Sequence, residues 1–115
     1  MKIAIPTDDK RGLQDMVAEH FGRAKNFLVY DTETKIFEIF SNPEVGGRKE
    51  LPPDFLYRQK VKTIIVFSLG PMAYNKFKNY NILMFKAIEG TVEENLEKFE
   101  SNQLEKLKKR RHFLI

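Results

Sequence analysis

At 115 residues the chain has the length of one domain, and its 42% hydrophobic content, including ten Phe, is enough to build a core. The 31% charged content, with no apolar run near the roughly 20 residues of a spanning helix, excludes a membrane-embedded protein. The absence of cysteine excludes disulfides, thiolate zinc sites, all-cysteine iron–sulfur ligation and cysteine nucleophiles. The formal charge is +4, but Lys106, Lys108, Lys109, Arg110 and Arg111 supply five positive charges, and taking those from the total leaves residues 1–105 near −1. The basicity is therefore a property of the C-terminal end: a candidate nucleic-acid or anionic-surface contact, or a solvated helix end favoured by the helix dipole. Met1 leads straight into a strand-like run without the basic and apolar regions of a signal peptide, so a cytoplasmic location is expected.

In chain order, Lys2–Pro6 reads as a short buried strand ended by Pro6, which cannot donate to a ladder. Thr7–Gly12 is a polar turn. Leu13, Met16, Val17 and the pair His20/Phe21 recur at three- and four-residue spacing, which fits either about two helical turns or a compact loop, stopped by Gly22. Asn26–Asp31 and Ile36–Phe40 are aromatic and β-branched strands joined by Asp31–Lys35 into a β-hairpin, with Glu38 facing solvent. Asn42–Pro53, with its Asn-Pro, Gly-Gly and Pro-Pro pairs, is irregular, and Asp54–Gln59 is a short helix with Asp54 available as its cap.

Thr63–Phe67 has the composition of a central strand buried on both faces. Ser68–Pro71 turns into a helix over Met72–Asn79, with Pro71 suited to the first position and Ala73, Phe77 and Tyr80 on the inner face. Ile82–Lys86 is a second buried strand. Thr91 and Glu94 form a capping box for a helix continued by Val92, Leu96 and Phe99. Ser101-Asn102 interrupts it, and Leu104 with Leu107 resumes it into a basic C-terminal helix over about 101–115. Alternating strands and helices require right-handed crossovers and a parallel half, and the hairpin adds an antiparallel edge. The expected architecture is one α/β domain over residues 1–115, a mixed five-stranded sheet with helices on its faces.

Four stretches in this order are distinctive: Met1-Lys2-Ile3-Ala4-Ile5-Pro6-Thr7, His20-Phe21-Gly22-Arg23-Ala24 before the strand ending in Tyr30-Asp31, Leu69-Gly70-Pro71-Met72-Ala73-Tyr74, and Gly90-Thr91-Val92-Glu93-Glu94. Together they resemble the dinitrogenase iron–molybdenum cofactor biosynthesis family over about residues 1–100. That resemblance implies a ribonuclease-H-like, three-layer α/β fold. It also implies non-catalytic binding of iron–molybdenum cofactor or an iron–sulfur cluster precursor, by a carrier or accessory protein acting with cofactor-assembly proteins. Many members have a Cys-Gly-rich turn where this chain has Phe67-Ser68-Leu69, and some a His-rich stretch where it has Asn42–Arg48.

Among the residues themselves, His20 is the candidate metal ligand, since an imidazole can coordinate iron or molybdenum. Its alternative is to cap or pack in the turn while Phe21 plugs the core. Arg23 beside Gly22 suits an anionic sulfide, carboxylate or phosphate, or else an ion pair with Asp8, Asp9 or Asp31. Gly70-Pro71 opens a helix whose free N–H groups favour an anion. Ligands of open α/β sheets sit beyond the C-terminal strand ends, where Pro6–Asp8, Ser68–Gly70 and Ala87–Glu89 fall. The candidate cofactor-binding set is His20, Phe21, Gly22, Arg23, Gly70 and Pro71, with His20 as the metal ligand and a metallocluster or small anion as the partner.

A two-metal nuclease needs convergent carboxylates. Asp8 or Asp9 is one candidate, but Phe67-Ser68 ends the central strand without an acid and Glu38 stands alone, so neither nuclease action nor nucleic-acid binding is expected. No Gly-x-Ser-x-Gly elbow or Gly-x4-Gly-Lys loop is present, so no enzyme activity is expected. An interaction module, docking through the aromatic hairpin edge or the basic C-terminal helix, is the remaining alternative.

Overall fold

The β-branched and aromatic runs form five strands of one sheet: β1 (Lys2–Thr7), β2 (Asn26–Asp31), β3 (Phe37–Ser41), β4 (Val61–Val66) and β5 (Leu83–Lys86), in the order β3-β2-β1-β4-β5. The computed structural model describes residues 1–47 and 49–109. β1 is the pivot, antiparallel to β2 and parallel to β4; β2–β3 is the expected hairpin and β4–β5 the expected parallel pair. Successive side chains of a strand point to opposite faces. Ala4, Ile64 and Val66 accordingly meet Phe55, Leu56 and Phe77 of α1 (Pro52–Arg58) and α2 (Pro71–Asn79) on one face. Ile3, Ile5 and Ile65 meet Val92 and Leu96 of α3 (Val92–Glu100) on the other. No helix among the described residues is long and apolar enough to cross a membrane.

α3 starts with the expected capping box: Glu94 N–H donates to Thr91 Oγ1 at 3.1 Å, and Thr91 N–H donates to Glu94 Oε1 at 3.0 Å. α2 takes Pro71 in its first turn as expected. α1 departs from expectation: it begins at Pro52, because two prolines in a first turn lack only N–H groups that have no helical partner there. Asp54 is consequently inside the first turn and caps nothing. Its carboxylate instead accepts from the Tyr80 hydroxyl and from Lys76 Nζ at 3.1 Å, which ties α1 to α2 and holds Asp54 below the usual aspartate pKa.

Three further departures shape the molecule. Strand β1 runs through Pro6 to Thr7, since Pro6, although it has no donor, still offers a carbonyl that accepts from Ala18 N–H at 2.8 Å. Residues 13–21 take the compact-loop option, flanked by short 3-10 turns at Gly12–Gln14 and Phe21–Arg23. A continued helix is prevented because Asp15 and Val17 exchange backbone bonds with Val92 and Gly90, at 2.8 and 3.3 Å. Gly12, at φ 62°, starts this loop, and a Cβ there would lie 2.8 Å from the Phe37 ring.

The expected basic C-terminal helix does not form among the described residues. Leu104–Leu107 instead runs extended and antiparallel along β5, with Lys86 N–H donating to Glu105 O at 2.8 Å and Leu107 N–H to Met84 O at 3.0 Å. In an extended chain residues three apart face opposite sides. Leu104 therefore packs into the α3-side core and Leu107 into the α2-side core, which explains a spacing that reads as helical. Arg48 and the remainder of the basic tail, Arg110–Ile115, lie outside the described residues.

Asp15 is an anomaly in the loop: it is 3% exposed, and its Oδ2 has no hydrogen-bond partner among the described residues. Burial pushes its carboxyl pKa above the ordinary 3.8, and the nearby backbone amides of Arg11 and Met16 offset this only in part. A raised folded-state pKa means the folded protein binds this proton more tightly than the unfolded chain does. The penalty is full above the folded pKa, shrinks as pH falls through it, and vanishes below about 3.8. Asp15→Asn should therefore raise Tm at pH 7, with the gain narrowing toward pH 4. An equal Tm difference at both pH values would show that ionisation is not the cause.

Candidate functional site

The C-terminal ends of β1, β4 and β5 share one end of the sheet, and residues 16–24 fold across it. Five sets of contacts fix this loop. Ala18 is bonded to Pro6 at the end of β1 and Val17 to Gly90. Lys25 N–H donates to Asp8 Oδ1 at 3.2 Å. The Phe21 ring is buried, with centroids 5.1 Å from Phe27 and 5.4 Å from Phe77. Finally, fully buried Asn42 donates through Nδ2 to the carbonyls of Ala24 at 2.8 Å and Gly22 at 3.4 Å. With Phe21 pulled inward, His20, Gly22 and Arg23 are left exposed on the outer side.

These residues form one wall of a groove of about 250 Å³, whose opposite wall is Ser68–Gly70 and Ala73. The structure thus brings together His20, Phe21, Gly22, Arg23 and Gly70; Pro71 is exposed but does not line this groove. A Cβ at Gly22 or Gly70 would meet nothing within 4 Å, so here the two glycines leave the walls bare rather than permit a strained turn. Gly70 carries no capping side chain, so the first N–H groups of α2 have no side-chain acceptor from their cap residue. Arg23 makes no ion pair with Asp8, Asp9 or Asp31: Asp9 lies 4.0 Å from Arg11 and Asp31 lies 3.9 Å from the N-terminal ammonium.

Two further grooves adjoin. One, of about 500 Å³, is lined by Met16–Val17, Glu19–His20, Phe67–Ser68 and Glu89–Gly90. The other, of about 370 Å³, lies between Phe67–Leu69, Lys86 and Glu105–Lys108. Ser68 lines all three, and His20 two of them. Among the described residues no three His, Asp or Glu side chains converge to hold a metal ion. The carboxylate set of a two-metal nuclease is likewise missing: Asp8 and Asp9 are exposed turn residues, engaged with Lys25 N–H and Arg11.

Residues 1–102 match the family model described as dinitrogenase iron-molybdenum cofactor. The chain belongs to this family. The dinitrogenase iron–molybdenum cofactor family match leaves only the segment along β5 and the tail outside it. An uncharacterized protein of Methanocaldococcus jannaschii is 32% identical over 112 residues, covering 92% of this chain and 91% of its own. The NMR structure of a candidate NifB protein from Thermotoga superposes with a TM-score of 0.81 at 28% identity, over 96% of this chain and 97% of that one. A candidate dinitrogenase from M. jannaschii gives 0.74 at 25% identity, over 93% and 94%.

Two residues of the site have little signature in the sequence. Asn42 sits in an Asn-Pro pair that signals a turn, but the carbonyls it serves are 18 and 20 residues away. Ser68 is visible only as part of a strand end; its place at the junction of three grooves depends on how the loop 16–24 and the segment 105–108 flank it.

Proposed function

We propose that this protein is a non-catalytic carrier or accessory protein of nitrogenase cofactor assembly. Its cargo is iron–molybdenum cofactor or an iron–sulfur cluster precursor, bound at the C-terminal end of the sheet and exchanged with cofactor-assembly proteins. The observation that carries this reading is the convergence of exposed His20 and Arg23 on one groove with the bare start of α2, in a chain of this family. One imidazole is too few ligands for a bare metal ion, which usually takes three or four. It suits a preassembled cluster whose remaining coordination is filled by its own sulfides. Arg23 then balances sulfide charge, and the first-turn N–H groups of α2 add a positive dipole end. The ribonuclease-H-like description belongs to the same reading: helices on both faces of a mixed sheet support it, while the missing carboxylate set separates this protein from nucleases of that fold.

Anaerobic incubation with an iron–molybdenum cofactor source, followed by gel filtration and metal analysis, tests the assignment. Native protein should retain iron and molybdenum, and His20→Ala should retain several-fold less. Equal retention by the two proteins would remove His20 as a ligand.

A further inference from the structure

We propose that β3 is a self-association surface, along which two copies of this chain pair antiparallel with Ile39 facing the partner's Ile39 across a two-fold axis. This goes beyond the carrier reading and does not depend on it.

β3 closes one end of the sheet order and pairs with β2 alone. Alternate residues of an antiparallel strand turn their backbone groups to opposite sides. Ile36 O accepts from Asp31 N–H and Asn42 N–H donates to Lys25 O, both at 2.9 Å, so the even-numbered residues turn theirs toward β2. The N–H and C=O groups of Phe37, Ile39 and Ser41 therefore point outward beyond the rim, and none of them bonds to a described residue. The side chains along this edge are apolar and only partly covered. Phe37 and Ile39 are half-buried on the α3 side and Phe40 on the α2 side, while Ile36 is 65% exposed. The strand has no proline, lysine or bulge to blunt it, and its one charge is Glu38.

What identifies the occupant is the fit of this edge to itself. Like strands related by a two-fold axis pair antiparallel, and bonds form only where outward-facing residues stand opposite each other. With the axis at Ile39, Phe37 faces the partner's Ser41 and Ser41 the partner's Phe37, so all three outward residues exchange both of their bonds. An axis at Glu38 would have to enlist Lys35, which is at φ 64° with its N–H already on Asp31 O. An axis at Phe40 would have to enlist Pro43, which has no N–H. Either shift leaves two bonded pairs instead of three. The axis at Glu38 also sets two carboxylates directly opposite, with Cα atoms about 4.5 Å apart, whereas the axis at Ile39 sets Glu38 against the partner's Phe40. β3 runs in the direction of β1, so the pairing leaves the two cargo grooves open at opposite ends of one continuous sheet. So short a ladder is a small interface, and the dimer is a weak one that forms at high concentration.

Sedimentation velocity and amide spectra of the full chain, from micromolar to millimolar concentration, test this. Native protein should pass from monomer to dimer, with concentration-dependent shifts at the amides of residues 37–41. Ser41→Pro removes an outward N–H that the monomer does not use, a change an edge strand tolerates, and should weaken the dimer at least about tenfold at unchanged Tm. Because the chain has no cysteine, two single-cysteine variants read the register, and they decide the matter even if Ser41→Pro fails to fold. Directly opposed Cα atoms about 5.5 Å apart suit a disulfide, so Ile39→Cys should cross-link to a dimer under mild oxidation. Glu38→Cys, with Cα atoms more than about 7 Å apart in this register, should not. Monomeric behaviour at every concentration would leave the edge to an extended segment of another protein and overturn the proposal. Native affinity in a folded Ser41→Pro chain, or preferential cross-linking of Glu38→Cys, would overturn it equally.

Discussion

Truncating Phe21 to alanine is expected to destabilise the fold by about 3–5 kcal/mol, the usual cost of deleting a buried aromatic ring. The ring is only 6% exposed and is wedged between Phe27 and Phe77, both fully buried, so its removal leaves a cavity that the two neighbouring rings cannot collapse into without leaving their own packing. Urea unfolding should show the loss as a lower midpoint with little change in slope. The effect reaches the site because Phe21 is the anchor of the turn that presents His20 and Arg23. Phe21→Ala should lose cluster retention together with stability, and Phe21→Leu, which refills most of the volume, should restore both in large part. A Phe21→Ala protein of native stability would show that the ring is not a core residue.

Asn42→Ala carries the second large effect. Asn42 is fully buried, accepts from Glu44 N–H at 3.0 Å, and donates to the carbonyls of Ala24 and Gly22. Alanine leaves the buried Ala24 carbonyl without this partner and removes the part-buried bonds to Gly22 and Glu44, at a cost of about 1–3 kcal/mol. The loss should be local as well as global. Amide hydrogens of Arg23 and Ala24, which close the 3-10 turn onto His20 and Phe21, should exchange faster relative to those of β1. If both sets of amides lose protection equally, Asn42 supports the whole fold and has no special hold on the turn.

How far the sequence was legible follows from where its signals come from. The five strands and α3 are marked by composition and by a capping box, both local properties, and they form where the residues indicate. α1 and the C-terminal segment deviate because their form depends on partners distant in the chain. Asp54 reads as a cap until Tyr80 and Lys76 are placed beside it. Leu104 and Leu107 have helical spacing, but the unpaired backbone of β5 draws them into an extended pairing. The meeting of His20 with Gly70 across a groove follows from the rule that ligands occupy C-terminal strand ends. Lys86 and Glu105 become neighbours only through the register of that last pairing, which no periodicity encodes.

The Leu104–Leu107 segment also determines how the sheet can meet another molecule. A sheet with two bare rims can add copies on both sides and grow without limit. Here the β5 rim is covered by a rung of only a few residues, a short edge that gives a second rung little to pair with. Among the described residues, only the β3 rim has no strand or rung paired to it. Backbone pairing with another molecule is therefore favoured at β3, whose five residues offer a longer ladder than the rung on β5.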